Sequence, residues 1–446
     1  MHGAGQNLET AVYLRAARLR EDQRDSLVAN QAPNVRVLTS ADGVAAEVVW
    51  FSERDGWGHL YLHDAVTGKM IRQITAGPCV VQEIVHIDPD ARTLLVSVSG
   101  LIADDPYRRT YCRVNLDSGG LERVTDDALN HRPLVPDPAI QPGFIDFAST
   151  VDTPPVATVR DWSGQVIMEL ERAGGSSLIA IGWQAPQRFA ATGADGETVI
   201  HGTLFLPPDF DPEQRYPVLD HLYPGPQDHR AMPYFGPDEI EPMVALGLVG
   251  VTIDGKGTPG RGREFNDASW RNIGGGSGLD DHVAVIRELA RTRPWMDLDR
   301  VAVYGHSAGG FAATRAMELF PDVFQFGIAA AGRHDGRLVM AMIMEAYDDP
   351  ADLESWARAS AIEPAGDITG KLLLVQGELD HAVSIHHTYR LIDRLIAANR
   401  DFDLLVVPGD DHVFSRHGRY VERRQWDWYV RHLLHLEPPA GFAIAD

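Results

Sequence analysis

The chain has 446 residues, and its 63 acidic and 40 basic side chains give a formal net charge of −23. This length predicts two domains, and an apolar content of 44% is enough for a sizeable core in each. So large an acidic excess repels phosphate backbones and anionic lipids. We therefore expect neither nucleic acid nor a membrane surface among the partners.

The cysteines and the N-terminus indicate a compartment. Cys79 and Cys112 are the only cysteines, which excludes a disulfide framework and a cysteine-based zinc site. A single disulfide between these two residues stays an alternative. The first residues lack the basic and apolar segments of a signal peptide, and no stretch approaches eighteen apolar residues. The sequence predicts a cytoplasmic protein.

The N-terminal part changes pattern near residue 36. Residues 8–30 are rich in helix formers and predict an amphipathic helix within an N-terminal arm, 1–35. The following residues form short alternating runs that predict antiparallel strands. These runs are 48–52, 59–63, 70–75, 83–87 and 93–98.

A weak repeat runs through these strands. Turns that begin at Asp64, Asp117 and Asp161 end in glycines spaced 51 and 45 residues apart, and each precedes an apolar run. That period is typical of four-stranded propeller blades, although unrelated hairpins would also account for it. We predict a reduced β-propeller-like domain over 36–177. Three blades are too few to close a ring. We therefore expect the open sheet edges to be covered by the rest of the chain or by a second subunit in a homo-oligomer.

A Gly-Gly-Ser-Ser linker at 174–177 precedes a different composition. Over 178–446, apolar strand-like runs alternate with helix candidates at 279–292, 311–319, 387–399 and 418–435. This alternation predicts a mostly parallel sheet with helices on both faces, the α/β-hydrolase architecture. Ligands then bind beyond the carboxyl ends of the strands.

A nucleophile elbow interrupts one of these strands at Gly305-His-Ser-Ala-Gly309. A serine on a tight strand-to-helix turn needs glycine on either side, because a Cβ there would meet neighbouring backbone. The pattern therefore favours Ser307 as a nucleophile over an idle serine in a Gly-rich turn.

A serine nucleophile needs a base and an orienting acid, which follow it in this order in the chain: serine, acid, histidine. Asp380 and His412 each follow a predicted strand and are our candidates. Glu378, Asp410 and Asp411 compete as the acid, and His381 and His417 compete as the base. A metal site at His381, His386 and His387 lacks a recognisable zinc motif. We expect neither a metal nor another cofactor.

The oxyanion of a tetrahedral intermediate needs hydrogen-bond donors. The backbone N–H of Ala308 is the first candidate. The phenol of Tyr223, in a Tyr-Pro-Gly-Pro turn after a buried strand, is the second, although such a tyrosine is more often structural.

These residues resemble the prolyl oligopeptidase family of serine peptidases, in particular its dipeptidyl peptidase IV-like bacterial branch. The resemblance covers roughly residues 46–435. It rests on the segments 52–61, 216–218, 223–226, 254–262, 272–274, 297–301 and 305–310. It implies that Ser307, Asp380 and His412 form the triad and that Tyr223 serves the oxyanion.

The chain also departs from this family. It contains no adjacent Glu-Glu pair, which the family uses to hold a substrate's free amino terminus, and Ala382 stands where family exopeptidases have asparagine. The resemblance places the substrate pocket at these candidates: Met340, Ile343, Met344, Tyr347, Ala382 and Val383. The methionines would form a deformable apolar wall, or alternatively belong to a helix core.

We interpret the chain as a serine hydrolase that forms an acyl-enzyme, and expect it to be a dipeptidyl- or oligopeptidase acting on small peptides. The alternatives are an esterase, thioesterase or acyltransferase acting on a small-molecule acyl group, and a non-catalytic binding module.

Overall fold

The computed structural model describes residues 34–39, 43–125, 127–136, 143–338, 347–348 and 352–444. The helix predicted over 8–30 lies outside these ranges. Within them, no helix is both long and apolar enough to span a membrane. The chain divides into two compact units between Gly174 and Gly175, close to the predicted boundary at residue 177. Two later segments, 233–235 and 259–267, group with the first unit, although the sequence placed them in the catalytic domain.

The described residues of the first unit form three antiparallel sheets, each built from four consecutive strands. The first sheet is β1 (Arg36–Thr39), β2 (Ala45–Ser52), β3 (His59–Asp64) and β4 (Met70–Gln73). The second is β5 (Val80–Asp88), β6 (Thr93–Ser99), β7 (Arg109–Asn115) and β8 (Glu122–Arg123). The third is β9 (Asn130–Leu134), β10 (Gly143–Ser149), β11 (Val156–Asp161) and β12 (Val166–Arg172). Four sequential strands per sheet is the composition of a propeller blade.

The repeated turn occupies the same place in each sheet, between the third and fourth strands. Its glycines, Gly68, Gly119 and Gly164, all have positive φ, a backbone conformation that is unfavourable for residues with a side chain. The first residue of each turn, Asp64, Asn115 or Asp161, accepts a backbone N–H bond from a later turn residue at its side-chain oxygen. Asn115 is therefore the first residue of the second turn, a position that the sequence repeat assigned to Asp117.

Burial differs sharply among these strands. The first and second sheets share a core that includes both cysteines, which are free thiols. By contrast, every residue of the edge strand β12 is exposed, including four large apolar side chains. These four are Val166, Ile167, Met168 and Leu170.

The second unit is built on one eight-stranded sheet with the order β13-β14-β16-β15-β17-β18-β19-β20. Its strands are β13 (Gln187–Thr192), β14 (Val199–Phe205), β15 (Tyr216–His221), β16 (Val249–Asp254), β17 (Met296–His306), β18 (Phe326–Ala330), β19 (Lys371–Gly377) and β20 (Asp403–Val407). Neighbouring strands are parallel along the part of the sheet ordered β16-β15-β17-β18-β19-β20. Strand β14 pairs antiparallel with both β13 and β16. The predicted mostly parallel sheet is confirmed, and β13 is an edge strand that the sequence analysis missed.

The helices of this unit follow the predicted alternation. They are α1 (Ser176–Ala180), α2 (Glu241–Val244), α4 (Leu279–Thr292), α5 (Ala308–Leu319), α6 (Leu353–Arg358), α7 (His386–Ala397) and α8 (Gly418–His432), while α3 (Arg263–Asp267) belongs to the first unit. Short 3₁₀ turns occur at Gly336–Leu338 and Ala365–Asp367. The bounds of α4 are those predicted from its apolar period, and α5 begins three residues earlier because it starts directly at the elbow.

The parallel strands end at a common edge. β15, β17, β18, β19 and β20 point the same way, so the loops that follow them emerge together. Every sequence-predicted catalytic or oxyanion residue lies in one of these loops or at the start of α5.

Candidate active site

The elbow holds Ser307 between β17 and α5 in a conformation rare for a residue with a side chain, at φ 60° and ψ −116°. Its backbone N–H donates to the carbonyl of Ala330, which fixes the turn against β18. A Cβ on Gly305 would collide with the carbonyl of Gly309, and one on Gly309 would collide with that of Leu222. Both glycines are therefore required by close backbone approach.

Three side chains from three loops form a continuous hydrogen-bonded chain. The Nε2 atom of His412 lies 3.0 Å from the Ser307 Oγ, and its Nδ1 lies 2.7 Å from the Oδ2 of Asp380. The carboxylate can only accept, so Nδ1 carries a proton and Nε2 is left to accept from the serine hydroxyl. This is the arrangement that a general base needs.

The carboxyl of Asp380 is buried and held by several donors. Its Oδ1 accepts the backbone N–H groups of Ala382 and Val383 at 2.9 and 2.7 Å, and Gln376 donates to Oδ2 at 3.0 Å. Burial alone would raise the pKa of Asp380, but the bonds from His412 and these backbone groups outweigh it and lower the pKa. Asp380 is therefore an ionised acceptor for His412.

The rival acids serve the segment between β20 and α8, residues 408–417, which we call the histidine loop. Glu378 accepts the N–H of Gly409 at 2.8 Å, and Asp411 accepts from Ser415. Asp410 is buried and accepts from the ring of His417 at 2.9 Å. These carboxylates shape the loop, whereas the hydrogen bonds of the His412 ring go to Asp380 and Ser307.

The rival histidines also lie elsewhere. His381 is exposed on the loop after β19, and the ring of His417 is hydrogen-bonded to Asp410. Among the histidines considered for a metal site, His387 accepts the backbone N–H of Asp335 at Nδ1 over 3.3 Å. Across the described ranges, no group of three or more His, Cys, Asp or Glu side chains is arranged to hold a metal ion.

Tyr223 follows β15, and its phenol lies beside the side chain of Ser307. Burial raises the pKa of this phenol, and the nearby Arg333 guanidinium opposes the rise. Ala308 is the first residue of α5, so its N–H is one of the first-turn donors without an acceptor inside the helix. The two predicted oxyanion donors thus flank the serine.

Comparison with protein-family models gives two matches. The model described as the prolyl oligopeptidase family matches residues 233–435, and the one described as the dipeptidyl peptidase IV N-terminal region matches residues 9–156. Together they cover most of the chain and agree with its two kinds of architecture. Over residues 233–435, the chain belongs to the prolyl oligopeptidase family.

Curated relatives support this membership over half of the chain. A probable dipeptidyl-aminopeptidase B of Coccidioides posadasii is 32% identical over 238 residues, and one of Ajellomyces capsulatus is 33% identical over 235 residues. Each match covers 50% of this chain and 25% of the relative, so this chain spans a small part of those proteins.

Solved structures show the fold at lower identity. A putative dipeptidyl aminopeptidase IV from Bacteroides ovatus has a TM-score of 0.77 at 23% identity, over 87% of this chain and 57% of that one. The Porphyromonas gingivalis dipeptidyl peptidase 4 has a TM-score of 0.78 at 24% identity, over 88% and 55%.

Arg333 is a buried cation near the Tyr223 phenol, and the sequence analysis did not single it out. It follows β18, and its guanidinium lies 5.1 Å from the ring centroid of Phe311, one turn after Ser307 in α5. Burial lowers the pKa of Arg333, while the neighbouring Tyr223, Tyr347 and Asp348 oppose this. Its only sequence signal was a charged residue directly after an apolar strand.

The predicted pocket residues divide into two groups. Met340, Ile343 and Met344 lie outside the described residues. Tyr347 is buried, and burial raises the pKa of its phenol. Ala382 and Val383 present their backbone N–H groups to Asp380, and their contact with substrate stays a prediction.

His306 was also missed, because the residue between glycine and serine in an elbow motif varies freely in type. Its ring Nε2 lies 2.7 Å from the backbone carbonyl oxygen of His412. The ring centroids of the two histidines are 4.7 Å apart.

Proposed function

We propose that this chain is a serine peptidase of the dipeptidyl type that acts on small peptides through an acyl-enzyme at Ser307. The observation that carries the proposal is the hydrogen-bonded chain from Asp380 through His412 to Ser307, with distances of 2.7 and 3.0 Å. Family membership and the printed names of the curated relatives support a peptide substrate.

The geometry gives each group a step. His412 Nε2 takes the hydroxyl proton as Ser307 Oγ attacks the scissile carbonyl, and Asp380 stabilises the resulting imidazolium through Nδ1–H. The oxyanion of the tetrahedral intermediate accepts hydrogen bonds from the Tyr223 phenol and the Ala308 N–H. Collapse breaks the C–N bond, and His412 gives its proton to the leaving amine. Water then hydrolyses the acyl-enzyme with His412 again as base.

The first test is mass spectrometry of the intact protein after reaction with a fluorophosphonate probe. We expect a single adduct, located at Ser307 by peptide mapping and absent in Ser307→Ala. Competition by aminoacyl-proline amides or longer peptides, and not by simple esters or thioesters, supports a peptidase. Absence of the adduct would contradict the proposal and favour a binding module.

We further propose that the chain self-associates through the exposed edge of its third β-sheet. Among the described residues β12 pairs on one side only, with β11. An edge strand with exposed Val166, Ile167, Met168 and Leu170 favours pairing with another chain. Light scattering of the wild type against Ile167→Lys tests this, with Val66→Lys, at an exposed turn of the first sheet, as the matched control. A wild-type monomer at micromolar concentration contradicts this proposal.

A further inference from the structure

His306 lies between the nucleophile and the histidine loop. It is the last residue of β17, and its Nε2 is 2.7 Å from the carbonyl oxygen of His412. A carbonyl oxygen only accepts hydrogen bonds, so the ring proton must be on Nε2. The contact therefore fixes the tautomer of His306 as well as its orientation.

The other hydrogen bonds of the histidine loop do not reach the elbow. Asp410 and Asp411 accept from later residues of the same loop, and Glu378 ties Gly409 to the end of β19. Among the described residues, two hydrogen bonds join the loop to the elbow: His412 Nε2 to Ser307 Oγ, and His306 Nε2 to the His412 carbonyl.

These two bonds behave differently during a reaction. The bond between His412 Nε2 and Ser307 Oγ is broken when the proton moves to the ring and the oxygen forms a bond to carbon. The bond from His306 involves only the backbone of His412 and is unaffected by that transfer. It is the contact that still holds the base beside the elbow when the proton must go to the leaving group.

We propose that His306 is a positioning residue whose Nε2–H holds the His412 backbone so that the catalytic ring keeps its alignment with Ser307. The proposal rests on the proposed function in taking Ser307 as the nucleophile. An imidazole that drifts by about 1 Å loses on the order of 10²-fold in rate, so one backbone bond matters at this place.

The charge of His306 is suited to this position. Burial lowers the pKa of its ring, so the ring is neutral near pH 7 and donates without carrying a charge. When His412 becomes an imidazolium, a second cation 4.7 Å away would oppose it. A neutral N–H donor positions the base without this repulsion.

The surroundings of His306 make substitution practicable. Its ring lines a cavity of about 310 Å³, together with Tyr304 and Phe414. A smaller side chain therefore enlarges an existing space and leaves no new void in a closed core, which limits the cost in stability.

The test compares two amides of different reach. Gln in His306→Gln places its side-chain N–H near the position of Nε2, whereas Asn in His306→Asn is too short to reach the carbonyl. We expect His306→Asn to lower kcat on an aminoacyl-proline amide, and the rate of fluorophosphonate labelling, by about 10- to 100-fold with KM little changed. We expect His306→Gln to remain within about threefold of wild type. Tyr304→Phe, which alters the same cavity wall, is the matched control with the same expectation.

Two results would overturn the proposal: wild-type rates in His306→Asn, or equal losses in both amide variants. Nitrogen-15 NMR of the wild-type histidine rings gives a readout that does not depend on turnover. We expect His306 to be protonated at Nε2, and an Nδ1–H tautomer would overturn the proposal even in an active enzyme. A correct tautomer in a protein that no fluorophosphonate labels would instead count against the proposed function.

Discussion

Both units contain buried aspartates hydrogen-bonded to histidines, and two of these pairs, one from each unit, have almost the same length. In the second unit Asp380 lies 2.7 Å from His412, and in the first Asp146 lies 2.8 Å from His131. The difference is at the other ring nitrogen. His412 faces the hydroxyl of Ser307, whereas His131 faces a second carboxylate, Asp127, at 2.9 Å.

That second partner determines what each histidine can do. Burial alone would lower the pKa of His131, but hydrogen bonds to Asp127 and Asp146 outweigh it and raise the pKa. A ring that donates from both nitrogens stays an imidazolium and cannot act as a base. His412 has one acceptor partner and one hydroxyl partner, so it can gain and lose a proton. The Asp–His bond by itself therefore does not indicate catalysis.

The largest expected effect is on Ser307. Ser307→Ala should lower kcat by about 10⁵- to 10⁶-fold, because the nucleophile is removed while the small side chain still fits the elbow. Turnover assays and thermal unfolding measure the two halves of this prediction. Ser415→Ala, which removes a hydroxyl bound to Asp411 in the histidine loop, is the matched control. Loss of the thermal transition in Ser307→Ala would contradict the structural half.

Matched substitutions of the two aspartates test the comparison directly. Asp380→Asn should lower kcat by about 10⁴-fold, because an amide no longer holds His412 in the required tautomer. Asp146→Asn should leave the rate of fluorophosphonate labelling at the wild-type value. A comparable loss of labelling in both variants would show that the two pairs are not functionally distinct.

Asp146→Asn should instead destabilise the first unit. Asp146 also accepts from the Tyr111 hydroxyl at Oδ1 and from the Arg160 guanidinium at Oδ2, so an amide would remove the charge and place its NH2 group against the donors at one of these two positions. Breaking such a buried ionic cluster costs about 3 kcal/mol. Denaturant-dependent labelling of Cys79 and Cys112, both buried in this unit, measures the change. Asp380→Asn should leave this labelling unchanged.

Tyr223→Phe tests the oxyanion donor. Loss of the phenol should lower kcat by about 10²- to 10³-fold with a small change in KM, because the bond is strongest to the charged intermediate. Steady-state kinetics on an aminoacyl-proline amide provide the measurement. Tyr347→Phe, which removes a second buried phenol near Arg333, serves as the control. An equal loss of kcat in both variants would point to a general packing effect.

The smallest expected effect is the pH dependence of the first unit. Because the folded pKa of His131 is raised above its usual 6.5, its stabilising contribution is complete below pH 6.5 and is lost as the pH rises through the folded value. We expect the free energy of unfolding of the wild type, relative to His131→Gln, to fall as the pH rises above 6.5. Cysteine labelling, corrected for the intrinsic thiol rate, gives this difference. A constant difference from pH 6 to pH 9 would be inconsistent with a charged His131.

Much of the architecture was predictable from the sequence because its signals are local. The apolar period gave the bounds of α4, the glycines at 305 and 309 marked the elbow, and the alternation of strands and helices predicted the sheet. The repeated glycine turns predicted three units of four strands, although only the structure showed that Asn115, and not Asp117, begins the second turn.

The candidate triad was also named from chain order, and the structure brings Ser307, Asp380 and His412 within hydrogen-bonding distance of one another. The sequence left Glu378, Asp410 and Asp411 as rivals, because all of them lie near the same two strand ends as Asp380 and chain order does not give their distances to His412. Only folding decides which of them faces the imidazole.

The sequence by itself determined which segments become strands, helices and tight turns, since periodicity and glycine positions act over a few residues. Tertiary structure decided the partners: the bond from His306 to His412 joins residues 106 positions apart, and the burial of Arg333 beside Tyr223 joins two separate strand ends. Hydrogen bonds and desolvation depend on distances and on exclusion of water. Those quantities exist only when the strands have been placed side by side.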